Sequence, residues 1–131
     1  TIQSLDLSHS DLGLHTDMLR QLDHSIRNNR SLQLLYLRSN ALKPKGMCNL
    51  LDCVSDSEVP VLRGLFMHYN SIGIESVRRI ANWIVRGHAR LRYLELAQNG
   101  LNDDASVELA RLLYFKSPVP ADALIYLDIS F

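Results

Sequence analysis

The chain has 131 residues, and fourteen Lys and Arg residues balance fourteen Asp and Glu residues. This balance gives no global charge that would favour a nucleic-acid or membrane partner. Apolar residues make up 47% of the chain, which excludes a disordered tail and allows one domain with a sizeable core. No apolar run approaches the roughly 18 residues of a membrane span, and no secretory leader opens the sequence.

A strand pattern of the form L-x-x-L-x-L-x-x-N-x-L recurs along the chain. Its leading positions are spaced 30, 30, 29 and 33 residues apart, at Ile2, Leu32, Leu62, Leu91 and Leu124. Apolar residues alternate within each copy, which predicts five short strands with one face in a core. A fixed period of this size is typical of a solenoid. The chain begins within a strand pattern and stops soon after another, so we expect it to be a segment of a longer repeat array.

Between the strands the apolar period becomes helical, which predicts four helices. In the second, third and fourth repeats a small residue and two large ones lie 6, 10 and 14 residues after the asparagine. In the first repeat the corresponding residues lie two positions later, because the loop Gly13-Leu14-His15 adds length. In chain order these sets are Met18, Leu22 and Ile26; Gly46, Leu50 and Val54; Ser76, Ile80 and Ile84; and Ala105, Leu109 and Leu113. Pro44 suits a first helical turn, and Asn102 suits an N-cap.

These residues resemble the leucine-rich repeat family, in particular its ribonuclease-inhibitor-like subclass with core units of roughly 28 residues. The resemblance implies an α/β solenoid, with a parallel sheet of about five strands on the concave side and about four helices on the convex side. It divides a single domain, 1–131, into repeats near 2–31, 32–61, 62–90 and 91–123 and a partial repeat 124–131. Two positions depart from the pattern: Ser10 replaces the first asparagine and Met67 replaces a strand leucine.

One polar position recurs where each strand ends. It holds Ser10, Asn40, Asn70 and Asn99. An asparagine amide both donates and accepts hydrogen bonds, so it can tie the backbone of neighbouring turns together. We therefore assign these residues to a structural ladder, in which Ser10 can make only part of the bonding.

The strand residues between the leucines are predicted to face the concave surface. Aromatic side chains there are surrounded by charged ones, which is typical of a protein-binding hot spot. A neighbouring domain or a loop of a longer chain could instead cover this stripe. The predicted partner-binding residues are Leu34, Tyr36, Arg38, Phe66, His68, Tyr69, Tyr93, Glu95, Tyr126 and Asp128.

Other candidate sites are weaker. Five arginines in one window, Arg78, Arg79, Arg86, Arg90 and Arg92, form a basic patch, for which we favour a solvated convex face paired with acids of the next repeat over a nucleic-acid site. Cys48 and Cys53 lie five residues apart on one predicted helix, a poor spacing for a metal ion, so we expect packed free thiols. The histidines are scattered over separate repeats. We predict no metal, no cofactor and no catalytic residue.

The sequence thus favours a non-enzymatic scaffold that binds a macromolecular partner, another protein, through the concave strand face. A first alternative is a structural component packed inside a large multiprotein assembly. A remote alternative is a regulator of a small GTPase, for which Arg38 would be the concave arginine. The small number of cysteines favours a reducing compartment, so we expect an intracellular, cytoplasmic protein without a membrane partner.

Overall fold

The computed structural model describes residues 2–55, 62–85, 90–114, 124 and 126–130. Five three-residue strands alternate with helices in this part of the chain, and the strands form one parallel sheet in sequence order. The chain is therefore an α/β leucine-rich repeat solenoid, as its repeats predict. The elements are β1 Ser4–Asp6, a 3₁₀ turn Leu12–Leu14, α1 Thr16–Asn28, β2 Leu34–Tyr36, α2 Lys43–Ser55, β3 Gly64–Phe66, α3 Gly73–Val85, β4 Tyr93–Glu95, α4 Asp103–Tyr114 and β5 Tyr126–Asp128.

The sheet is held in a register that repeats without slippage. Each strand residue lies opposite the residue at the same motif position in the next repeat, so that Leu35, for example, pairs with Leu5 on one side and Leu65 on the other. Parallel strands need a crossover, and the helices supply it on the other side of the core. Because no repeat can bury its own apolar face alone, the stacked repeats share one core.

The core confirms most of the predicted apolar positions and corrects two. Met18 is 46% exposed, and Leu19 takes its place in the core with Leu22 and Ile26. Leu22 and Ile26 keep their predicted places, and Leu19 lies against Gly46 of the following repeat, which has no side chain to exclude it. Ile84, the last residue of its predicted set, is only half-buried, and the neighbouring Trp83 is buried instead, with 6% of its surface exposed. The side chain of Leu113 lies outside the described residues.

The asparagine ladder is present, and each amide reaches back to the preceding repeat. Asn70 accepts hydrogen bonds from the backbone N–H groups of Asn40 (3.0 Å) and Leu42 (3.4 Å), and it donates to the carbonyl oxygen of Leu37 (2.7 Å). Asn99 repeats this pattern toward Asn70 and Met67, and Asn40 repeats it toward the loop that contains Ser10. All three amides are buried. The side chains of one repeat thus fix the strand-end loop of the repeat before it.

The first strand-end loop has Ser10 in place of an asparagine, and it is still closed by an amide of the following repeat. The backbone N–H groups of Ser10 and Leu12 are bound by the amide oxygen of Asn40, at 3.1 and 3.2 Å. The Ser10 hydroxyl makes one long contact, 3.5 Å, to the carbonyl oxygen of Ser8. The loop of the first described repeat therefore keeps its ladder bonds even though it supplies no amide of its own.

The ladder also holds strained backbone, which the sequence pattern did not predict. The residues on both sides of each ladder position have left-handed φ angles between +50° and +66°: His9 and Asp11, Ser39 and Ala41, Tyr69 and Ser71, Gln98 and Gly100. A residue with a side chain pays about 1–2 kcal/mol for this conformation. The buried amide bonds offset that cost, and in return the turn is sharp enough to begin the next helix within a few residues.

Gly13 marks the closest approach of two repeats in the first loop. Its N–H donates to the carbonyl oxygen of Asn40 at 2.8 Å. A Cβ at this position would lie 1.9 Å from the carbonyl oxygen of Ala41, and backbone cannot move aside as a side chain could. The glycine is therefore required by the contact between the first and second strand-end loops.

We predict that Asn70→Ala lowers the free energy of unfolding by about 3 kcal/mol or more, because it leaves two buried N–H groups and one carbonyl without their partner. Ser10→Ala, which removes only a long hydroxyl contact, should cost less than about 0.5 kcal/mol. Urea unfolding followed by circular dichroism measures both values. Equal losses for the two variants would contradict the assigned role of the ladder.

Candidate functional site

The candidate site is the concave sheet face, where two columns of side chains run across the strands. The register of the sheet aligns equivalent residues of the five repeats in each column. The first holds Ser4, Leu34, Gly64, Tyr93 and Tyr126, and the second holds Asp6, Tyr36, Phe66, Glu95 and Asp128. The ladder holds the loops after β1, β2 and β3, and the parallel sheet holds all five strands in one register. The identities of these side chains then determine the surface.

The middle of the face is an aromatic stack that covers a glycine. The rings of Tyr36 and Phe66 lie parallel, with centroids 4.3 Å apart and planes 6° apart. A Cβ on Gly64 would lie 2.8 Å from both Leu34 Cδ2 and Phe66 Cε2, so these two side chains close over the space that the glycine leaves. Leu34, Tyr36 and Phe66 are consequently half-buried. The sequence places these three residues on the concave face but does not show how far they cover one another, because this depends on the missing side chain at Gly64.

The exposed aromatics lie toward one end of the face. Tyr93 and Tyr126 are opposite each other on β4 and β5, with 41% and 46% of their surface exposed. Tyr69, in the left-handed conformation just beyond β3, is 61% exposed. These three tyrosines, with their hydroxyl groups available to solvent, carry most of the aromatic surface that a partner could reach.

A network of charged side chains runs beside the aromatics across four repeats. Arg38 Nη2 donates to Glu95 Oε2 at 2.9 Å, although the two residues are 57 positions apart. His68 lies between two carboxylates, with its Nδ1 3.2 Å from Glu95 Oε2 and its Nε2 3.7 Å from Asp128 Oδ2. Neither contact is aligned as a hydrogen bond, and the histidine is charged in them only when it is protonated.

The sequence placed all four of these residues on the face but treated Glu95 and Asp128 as separate rim charges. The sequence signal that we missed was the position of Arg38 and His68, two residues beyond the column that contains the two acids. Arg38 and His68 belong to the column just beyond the strands, and a long side chain there can reach diagonally to the acids of later strands. Columns alone therefore predicted the residues of the network but not its connections.

Two carboxylates at opposite ends of the second column are held in their ionised form. The backbone N–H of Ser130 binds Asp128 Oδ1 at 3.0 Å and is the main cause that lowers the pKa of this carboxyl group. Hydrogen bonding by Ser8, whose backbone N–H lies 2.9 Å from Asp6 Oδ1, lowers the pKa of Asp6 in the same way. Asp6 and Asp128 thus occupy matching local structures in the first and last strands described.

The other candidate sites are mostly explained by packing. Arg78 contacts Glu108 of the next repeat at 3.6 Å, and Arg79 contacts Asp52 of the preceding repeat at 2.8 Å, which agrees with a paired convex face. Arg90 and Arg92 also make interactions, and Arg86 lies outside the described residues. Cys53 is buried, and burial raises the pKa of its thiol, whereas Cys48 is half-buried.

Within the described ranges, no group of three or more His, Cys, Asp or Glu side chains is arranged to hold a metal ion. In the same part of the chain no helix is both long and apolar enough to cross a bilayer. Arg38, the residue on which a GTPase regulator would depend, is held by Glu95.

Comparison with known proteins agrees with the fold. No protein-family model matches the chain, and neither does any curated protein. Solved structures do match, and two of them cover nearly the whole chain. The tropomodulin C-terminal domain of Caenorhabditis elegans has a TM-score of 0.78 and 13% identity, covering 99% of this chain and 74% of that one. A structure titled leiomodin-1 actin-binding site 2 has a TM-score of 0.74 and 15% identity, covering 98% and 70%. At these identities the likeness shows a shared fold.

We predict that the Arg38–Glu95 pair is coupled more strongly than a surface pair of equal length. A double-mutant cycle with Arg38→Ala and Glu95→Ala should give a coupling free energy of about 1 kcal/mol, since the Glu95 side chain is only 16% exposed. The matched control is Arg79–Asp52, where the acid is 57% exposed and about 0.3 kcal/mol is expected. Coupling no larger than in the control would show that the network contributes nothing to the stability of the face.

Proposed function

We propose that this chain is a non-enzymatic protein–protein interaction module that binds a macromolecular partner through its concave strand face. The observation that supports this most is the pair of exposed tyrosines on β4 and β5, Tyr93 and Tyr126, beside a charged network on the same sheet face. Tyrosine and arginine are the side chains that dominate binding energy at interfaces, because they combine large contact area with polar groups.

The rigidity of the face strengthens the proposal. The loops after β1, β2 and β3 are fixed by buried amide bonds from the following repeat, so binding would not need to order this part of the backbone. A preorganised surface keeps more of its contact energy as affinity, because less is lost to ordering on association. A ribonuclease-inhibitor-like subclass, one domain over 1–131 and an intracellular location remain predictions that accompany this proposal.

Actin is the first partner to test. One of the two structural neighbours is titled an actin-binding site, and this chain covers 70% of that neighbour's length. The shared fold suggests the partner to try but does not establish which residues would bind it. Co-sedimentation with filamentous actin and gel filtration with monomeric actin would test both of its forms.

We predict that replacing Tyr36 and Phe66 together by serine abolishes partner binding and retains the fold, with a loss of stability of about 2–4 kcal/mol because both rings are half-buried. Circular dichroism checks the fold, and proteins captured from a cell lysate report binding. Val107→Ser is the matched control, since Val107 is an exposed apolar residue of the convex helix α4. Proteins captured equally by the folded double variant, the control and the wild type would contradict concave-face binding.

A structural role inside a larger assembly is the second candidate, and one observation favours it. Leu5 and Leu7 in the first strand region are only half-buried, whereas the equivalent Leu35 and Leu37 are fully buried. Another repeat or a neighbouring protein would cover these leucines. A monodisperse monomer in solution would argue against an obligatory packing partner at this position.

A further inference from the structure

The concave face has an apolar part and a charged part, and the difference indicates what kind of partner it fits. On β2 and β3 the surface is formed by Leu34 and the Tyr36–Phe66 stack, which are half-buried and carry no charge. On β4 and β5 it is formed by two exposed tyrosines followed, two residues along each strand, by Glu95 and Asp128. A partner must therefore match an apolar part and an acidic aromatic part that lie side by side.

The two acids differ in how far their charge is neutralised. Glu95 is bound by Arg38 at 2.9 Å and is also approached by His68. Within the described residues Asp128 has a single ion-pair contact, with the imidazole of His68 at 3.7 Å, and this contact is ionic only when the histidine is protonated. Its hydrogen bond from Ser130 keeps the carboxylate ionised without supplying a positive charge. Asp128 is thus the acid of this network with unused capacity for a cation.

We propose that the β4–β5 end of the concave face receives an arginine side chain from an extended segment of the partner protein. This inference rests on the proposed function and names the chemistry of the partner. The guanidinium would stack on the rings of Tyr93 and Tyr126 and donate to the carboxylate of Asp128. Arginine suits both contacts, because its planar group stacks on aromatic rings and binds a carboxylate with two N–H groups.

An anionic partner group fits this end poorly. The groups that could attract it are Arg38 and His68, and both already face carboxylates. A phosphate or carboxylate brought here would have to displace Glu95 from Arg38 and would then lie close to two like charges. Repulsion of this kind is as effective in choosing a partner as attraction.

Strand spacing sets the distance between the arginine and an apolar contact. The centre of the β2–β3 part lies two strand spacings from the centre of the β4–β5 part, which is about 10 Å. An extended segment in the polyproline II conformation advances about 3.1 Å per residue and has three residues per turn, so side chains three positions apart project from the same side about 9 Å apart. Such a segment crossing the strands would therefore place a leucine or similar side chain over Leu34 and Phe66 and an arginine three positions away over Tyr93 and Tyr126.

The test uses fluorescein-labelled twelve-residue peptides with leucine and arginine three positions apart in an otherwise Gly, Ser and Thr background. In matched peptides the arginine is replaced by citrulline, which has the same shape without the charge, or by glutamate. Fluorescence anisotropy at low salt measures binding to the whole chain. We expect the arginine peptide to bind about five times more tightly than the citrulline peptide and the glutamate peptide to bind most weakly.

Asp128→Asn should reduce the preference for arginine over citrulline to less than about twofold, since the amide keeps the bond to Ser130 but loses the charge. The matched control is Asp6→Asn, which changes the net charge equally in the same local structure but has Ser4 in place of a tyrosine on its strand. This control should keep the full preference. Equal binding of the arginine and citrulline peptides to the wild type, or equal losses in the two variants, would overturn the inference.

These outcomes separate this inference from the proposed function. If Tyr36→Ser with Phe66→Ser abolishes binding of a partner but Asp128→Asn does not change it, the concave face binds and the arginine assignment is wrong. If neither change affects a partner that the chain does bind, concave-face binding itself is wrong.

Discussion

The structure depends on one interaction, the hydrogen bonds of a buried asparagine amide to the backbone of the preceding repeat. Asn40, Asn70 and Asn99 each satisfy N–H and carbonyl groups that would otherwise be buried without partners. Such groups are expensive to leave unpaired, so the bonds select one geometry for the strand end. That geometry includes two left-handed residues per loop, and it fixes the register from which the functional face is built.

Much of the fold could be predicted from the sequence, because residues buried at regular intervals are apolar at the same intervals. The five strands, the four helices and the ladder follow from leucines and asparagines at constant spacing. Met18 shows where this reasoning fails. The predicted set placed Met18 in the core, but the structure buries the next residue, Leu19, whose side chain lies against Gly46 of the following repeat. Left-handed residues such as Ser39 and Ala41 were missed for a similar reason, since their conformation is imposed by Asn70 from the next repeat.

The candidate site was predictable in its membership and unpredictable in its contacts. Alternation assigns Tyr36, Phe66, Glu95 and Asp128 to one face, and the register confirms this. Alternation cannot show that Phe66 closes over Gly64, because that depends on the absence of a side chain in the neighbouring column. Nor can it show that His68 reaches two carboxylates, because diagonal contacts depend on rotamers rather than on position.

The direction of the ladder gives the stack a polarity. The loops after β1, β2 and β3 are each closed by an amide from the following repeat. The geometry of a loop therefore depends on the repeat on its C-terminal side. Loss of the repeat on the C-terminal side of a loop would remove the amide hydrogen bonds that close it. The left-handed residues of that loop would then relax to more favourable φ angles. Loss of the repeat on the N-terminal side of a loop would leave that loop closed, because its amide comes from the other side. Fraying of such a stack is therefore expected to be asymmetric: a break opens the loop on its N-terminal side, and opening then spreads toward the N-terminus.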